Sequence, residues 1–186
     1  MIGNNEFRKK SSQIFNEDLS VWDTEDVFEF KITNVTLEEK ILFVLKKTNW
    51  NFSVCIEGMR YLTSVEKILL VMEKTDWIEI VCEAGIPQLK LEEKSEDEIL
   101  TIMEKANWNL QVCIGGIRFL TSVKKILFVL EKNDWYVTIC NVGIPQLKLE
   151  KRSEEEILAI MTKSNWNNFV CNAGIQALGD LEMKED

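Results

Sequence analysis

Histidine is absent from the 186 residues. With it go the commonest general base and the commonest metal ligand, so no Ser–His or Cys–His device can be assembled. The five cysteines are odd in number, evenly scattered and without a C-x-x-C pair. They make a poor disulfide framework and a poor zinc site, and a reducing compartment, cytoplasmic or nuclear, is expected. Long apolar runs are missing too. Ile126-Leu127-Phe128-Val129-Leu130 is among the longest and is far too short to span a bilayer. Met1 to Lys10 lacks the apolar core of a secretory signal. Positive charge is in deficit: 22 Lys+Arg stand against 31 Asp+Glu, a net of −9 with a pI near 4.8. Phosphate backbones and anionic lipids are held chiefly by Lys and Arg, so both are disfavoured partners.

What is present is a beat. Trp50, Trp77, Trp108, Trp135 and Trp166 stand 27, 31, 27 and 31 residues apart, each followed five positions later by cysteine. A fixed short period is the mark of stacked repeats. Counting each tryptophan as zero, lysine recurs at −3, Asn or Asp at −1, Val or Ile at +4, Cys at +5, Gly at +8, Ile or Met at +9 and Leu at +12. Offsets +4, +5, +8, +9 and +12 line one side of a helix, here called B, that starts near the tryptophan. Asn or Asp at −1 suits its N-cap. Ahead of each tryptophan runs a second apolar stripe, such as Ile99-Leu100-x-Ile102-Met103, which is helix A. Capping-box spacing opens four A helices: Thr36/Glu39, Thr63/Glu66, Ser95/Glu98 and Ser153/Glu156. The fourth copy has Lys124 and Lys125 there, leaving its cap to Thr121 or Ser122.

Glycine inside a helix is unfavourable by roughly 0.5–1 kcal/mol against alanine, so five of them at +8 imply close helix approach. Both prolines follow such a glycine, in Ile86-Pro87 and Ile144-Pro145, where they should break or restart the helix. The longer spacers after these copies, Leu91 to Lys94 and Leu149 to Arg152, produce the alternation, and the unit is a 58-residue pair of hairpins. The expected fold is all-α: an α-solenoid of five short helical hairpins in residues 36–178. Residues 1–35 are expected to form an N-terminal arm and degenerate capping element around Trp22, with 1–12 disordered. Residues 179–186 are expected to form a charged, disordered tail.

Glu98 to Met103, Asn107, Gln111-Val112 and Leu120 together resemble the last two helices of an armadillo repeat. Ala84-Gly85-Ile86-Pro87-x-Leu89 and Val142-Gly143-Ile144-Pro145-x-Leu147 are similar to that family's Ala-Gly-Ile-Pro-x-Leu turn. The resemblance spans roughly residues 37–178 and implies an armadillo- or HEAT-like superhelix with a groove that serves as a protein-binding scaffold. The family's clamping asparagine falls on Ser64, Leu91, Ser122, Leu149 and Asp180. Its partner tryptophan falls on Arg60, Pro87, Arg118, Pro145 and Gln176, so the clamp itself is not carried over.

Function is therefore expected at surfaces. The acidic clusters around Glu96 and Glu154 serve helix dipoles and solubility first, and no catalytic, cofactor or metal constellation is found. The tryptophans are expected to plug the A–B corners as core, the alternative being an aromatic ladder. The cysteines are expected as small buried hydrophobes rather than reactive thiols. Arg60, Arg118 and Gln176, on the B face opposite the buried stripe, are the side chains expected to touch a partner. The column Lys47, Lys74, Lys105, Lys132 and Lys163 either completes the helix A dipole or forms a ladder for acidic groups. The leading reading is a non-enzymatic scaffold for a protein or peptide; the alternative is a helical-repeat binder of single-stranded RNA.

Overall fold

The computed structural model describes residues 36–185, so the expected arm and capping element in 1–35 lie outside them. Among the described residues the protein is all-helical, with ten α-helices in five A–B pairs. The A helices are α1 (Leu37–Lys47), α3 (Val65–Lys74), α5 (Glu96–Lys105), α7 (Val123–Lys132) and α9 (Glu154–Lys163). The B helices are α2 (Phe52–Met59), α4 (Glu79–Gly85), α6 (Leu110–Ile117), α8 (Val137–Gln146) and α10 (Asn168–Glu185).

The same corner joins every pair. Asn49, Asp76, Asn107, Asp134 and Asn165 have φ of 49–52°, and the tryptophans that follow have φ of 54–56°. Each tryptophan amide donates to the carbonyl five residues back, as Trp108 does to Met103 at 2.8 Å. The residue before it donates to the carbonyl three back, as Asn107 does to Glu104 at 2.9 Å. This pair of bonds is a Schellman cap, which satisfies carbonyls left over at the end of helix A. The Asn/Asp column therefore terminates A and does not cap B. It recurs because Asn and Asp tolerate the left-handed region better than other residues with side chains. The B caps lie two positions later. Asn51 accepts from the amides of Ser53 and Val54, and Asn109 from those of Gln111 and Val112. Glycine fits the left-handed region without strain, so Asn107→Gly is expected to raise stability by about 0.5 kcal/mol and Asn107→Val to lower it by at least about 1 kcal/mol in urea titration.

Capping boxes form at Thr36/Glu39, Ser95/Glu98 and Ser153/Glu156. The fourth expected box is displaced: Ser64, not Thr63, caps α3, and Thr63 is taken by a neighbouring helix. Glu38 of α1 reaches across to the start of α3. Its Oε1 accepts from the Thr63 amide, the Thr63 hydroxyl (3.0 Å) and the Ser64 amide (2.9 Å), while its Oε2 meets Lys67 Nζ at 2.8 Å. Fifty-eight residues on, Glu96 of α5 repeats this on α7. It takes the Thr121 amide and hydroxyl, the Ser122 amide at 3.0 Å and Lys125 Nζ at 3.1 Å. These bonds hold Glu38 and Glu96 at about 2, far below the usual carboxylate value. The even A helices carry Val65 and Val123 at the matching position, so the staple ties an odd hairpin to the next even one.

Contacts divide the chain into two compact units between Leu89 and Lys90. Within each, every A helix packs on its own B helix, and B helices pack in succession: α2 on α4 in the first unit, α6 on α8 and α8 on α10 in the second. The +5 and +8 positions are buried in the first four hairpins, with Cys55, Cys113, Cys82 and Cys140 at 0–1% exposure. A Cβ on Gly143 would stand 2.6 Å from Ile117 Cδ1 and 2.9 Å from Leu130 Cδ2, so two neighbouring helices close over that glycine.

Pro87 behaves as expected: α4 stops at Gly85 and Ile86–Leu89 tightens into a 3₁₀ turn. Pro145 does not break its helix, because α8 runs through it and ends one residue later at Gln146. In that last turn only one amide donor is lost. Each long spacer is a 3₁₀ turn that drives a leucine inward, Leu91 at 2% and Leu149 at 5% exposure. Residues 179–185, expected as a disordered tail, continue α10 as helix. No helix among the described residues is long and apolar enough to cross a membrane.

Candidate functional site

The expectation that each indole is core is overturned. Trp50, Trp77, Trp108 and Trp135 are half-buried and Trp166 is 54% exposed. The cap explains why: the tryptophan is the second residue of a tight turn, at the tip of the corner, where its area cannot be fully covered. Holding a bulky residue in the left-handed region costs about 1–2 kcal/mol. The cap needs that residue's amide only, so nothing in the turn calls for an indole.

The first turn of B adds more exposed apolar surface at four of the five corners. In the first unit Phe52, Ile78 and Ile80 are exposed; in the second, Tyr136, Val137 and Phe169. The even hairpins go further, since their N-cap positions are Ile78 and Tyr136, which form no side-chain cap. Losing an Asn cap is worth about 1 kcal/mol. In both, the cysteine thiol donates instead to the tryptophan carbonyl, Cys82 to Trp77 at 3.4 Å and Cys140 to Trp135 at 3.3 Å. These weak bonds hold the corner shut without an Asn.

Each corner also carries its lysine. Lys47, Lys74, Lys105, Lys132 and Lys163 are all exposed in the last turn of their A helices. Lys47 Nζ lies 5.2 Å from the Phe43 ring centroid. Lys132 Nζ lies 5.8 Å from Trp108 and 5.5 Å from Phe128, whose rings meet edge-to-face at 5.3 Å. Lys47 and Lys132 thus place cations over aromatic faces, attractions of about 0.5–1 kcal/mol at exposed sites.

Of the other expected contact residues, Arg60 and Arg118 close the far ends of their B helices and Gln176 lies midway along α10. Arg60 is exposed beside Tyr61 and pairs with Glu57 at 3.3 Å. Arg118 is exposed beside Phe119. Gln176 borders an open cleft of about 260 Å³ with Pro145, Leu149, Ala173 and Asp180. Within the second unit, then, Lys105, Lys132 and Lys163 stand at corners, Arg118 at the opposite end of α6 and Gln176 midway along α10. Sequence reasoning missed Ile78, Ile80, Tyr136 and Val137. The available signal was an apolar residue at +1 to +3, off the buried stripe.

The four buried cysteines show no sign of activation. Burial pushes the thiols of Cys55, Cys82, Cys113 and Cys140 up to about 11, keeping them protonated at neutral pH. No protein-family model, curated protein or solved structure matches the chain.

Proposed function

We propose that the protein is a non-enzymatic, armadillo- or HEAT-like solenoid that binds a protein or peptide partner. The observation that carries this is the even corner. Ile78 (45% exposed) and Tyr136 (56% exposed) occupy positions where asparagine would stabilise the chain, next to a half-buried indole and exposed Ile80 or Val137. A site that breaks a local rule in the same way twice, at the surface, is accounted for by contact with something else. The binding surfaces are the Trp–Lys corners of each unit, with Arg60 in the first and Arg118 and Gln176 in the second as further contacts on the B helices. The hairpin order and the packing of successive B helices within each unit support the solenoid.

Stability and binding should move in opposite directions. Ile78→Asn and Tyr136→Asn are each expected to raise unfolding free energy by about 1 kcal/mol, by restoring a cap. Each should weaken capture of the native partner about tenfold, the loss of one interface anchor. Unchanged capture with both variants in place would remove the corners from the interface. The RNA reading is tested by titrating single-stranded RNA across salt: tight binding with a steep log-affinity slope would displace the protein-binding proposal.

A further inference from the structure

The fifth hairpin repeats the odd hairpins in sequence but not in burial. Ile117 of α6 and Met59 of α2 are fully buried, yet Ile175, the matching residue of α10, is 63% exposed. Cys171 is only partly covered where Cys55 and Cys113 are sealed, and Leu158 and Trp166 are exposed where Leu100 and Trp108 are half-buried. The cause is local. After α6 the chain turns at Arg118-Phe119-Leu120 and returns as α7, which buries that side. After the matching point in α10 the helix runs on to Glu185.

Glu154 completes the picture. It stands 58 residues after Glu96 and 116 after Glu38, at the same position relative to Ile157 as theirs to Ile99 and Ile41. Glu38 and Glu96 are largely covered by the helix starts they staple; Glu154 is exposed and meets no donor among the described residues. Leu158, Cys171 and Ile175 of α9–α10 are therefore less covered than their counterparts, and Glu154 stands at the staple position of the same hairpin.

We infer that this hairpin receives the start of a helix from another protein, with Ser at the N-cap, Thr just before it and Lys three residues after it. The two internal staples specify those groups. In both, one carboxylate oxygen collects the hydroxyl and two amides of a Thr-Ser helix start, and the other oxygen takes the lysine. Behind the N-terminus, apolar residues of the incoming hairpin would cover Ile175, as α7 and α8 cover the matching surface of α6. A second copy placed end to end would not supply these groups from its first described helix. The first described helix of this chain starts Thr36-Leu37-Glu38-Glu39, with glutamate where the lysine is needed and already bound to its own cap.

The test uses the full chain, isotope-labelled, titrated with an unlabelled peptide of residues 117–148, which contains an even hairpin and its Thr-Ser-x-x-Lys start. Saturable amide shifts are expected at the start of α9 and along residues 171–179. Affinity should fall at least tenfold in Glu154→Gln and in Ile175→Asp. Both substitutions are at exposed positions, so unfolding midpoints should change little, by no more than the loss of one first-turn charge. A thirty-two-residue control with Thr121, Ser122 and Lys125 replaced by alanine should bind weakly. The inference is overturned by an unperturbed spectrum at millimolar peptide, by shifts confined to α5–α8, by equal binding of the variants, or by concentration-dependent self-association that Ile175→Asp abolishes. The corner variants Ile78→Asn and Tyr136→Asn leave this hairpin intact, so failure here and failure of the corner proposal are separate results.

Discussion

Gly116→Ala is expected to lower the unfolding free energy by about 1–2 kcal/mol, and Gly116→Val by about 3 kcal/mol, at the top of the range for overpacking. A Cβ on Gly116 would overlap Met103 Cε and stand 2.8 Å from Ile99 Cγ2. Met103 can swing its terminal methyl aside. Ile99 is β-branched and fully buried, so its χ1 has nowhere to turn. Alanine recovers about 1 kcal/mol of helix propensity, and the clash outweighs it. Gly179 is the control. It too lies inside a helix, but nothing stands within 4 Å of a Cβ there, so Gly179→Ala is expected to raise stability by about 0.5–1 kcal/mol. Urea titration of the three variants checks the opposite signs. Stabilisation by Gly116→Ala would mean that the A and B helices are not in close contact at that point.

Removing both staples, in Glu38→Gln/Glu96→Gln, is expected to lower stability at pH 7 by about 2–4 kcal/mol. Each carboxyl falls from 4.5 to about 2 on folding, which sets a ceiling of about 3 kcal/mol per group. Each side chain keeps about a fifth of its surface in water, so screening reduces this to about 1–2 kcal/mol. The sign follows from the depressed folded value. The contribution is complete above pH 4.5 and is lost as pH falls from there towards 2. The native chain should thus lose stability steeply over that window, and the double variant should lose less. A residual slope should remain, because Glu39 and Glu98 are also held low by their own capping boxes. Parallel pH profiles for the two proteins would show that the staples do not form in solution.

Much of this was legible in the chain. Helical periodicity, the buried +4/+5/+8 stripe and three capping boxes follow from spacing, because one face of a helix must be apolar and one residue type suits each cap. Asn107 was misread because Asn serves equally well before a helix and in the left-handed residue that ends one; only the φ of 49° tells the roles apart. Trp108 was misread because large area argues for burial only where neighbours can surround it, and the tip of a turn has too few. Glu96 was read as a dipole partner, and it is one. Its bonds to Thr121 and Ser122, 25 and 26 residues away, depend on how two hairpins meet, which periodicity does not encode. Each lysine of the column is exposed at the end of its A helix, as a helix-end cation should be, so its position alone does not separate capping from binding. Ile78 and Tyr136 stand out only once the N-cap is known to lie at +1.

Five hairpins closed by the same left-handed corner, and packed in turn within each of the two units, are the core of the fold. Native-state amide hydrogen exchange on the full chain tests this most directly. The five tryptophan amides lie in turns, yet each donates to a helix carbonyl at 2.8–3.0 Å, so all five should exchange slowly. Protection along α6 and α8 should reproduce that along α2 and α4 with a 58-residue offset. Tryptophan amides exchanging as freely as an open loop, or a single protected block with no echo 58 residues away, would contradict it.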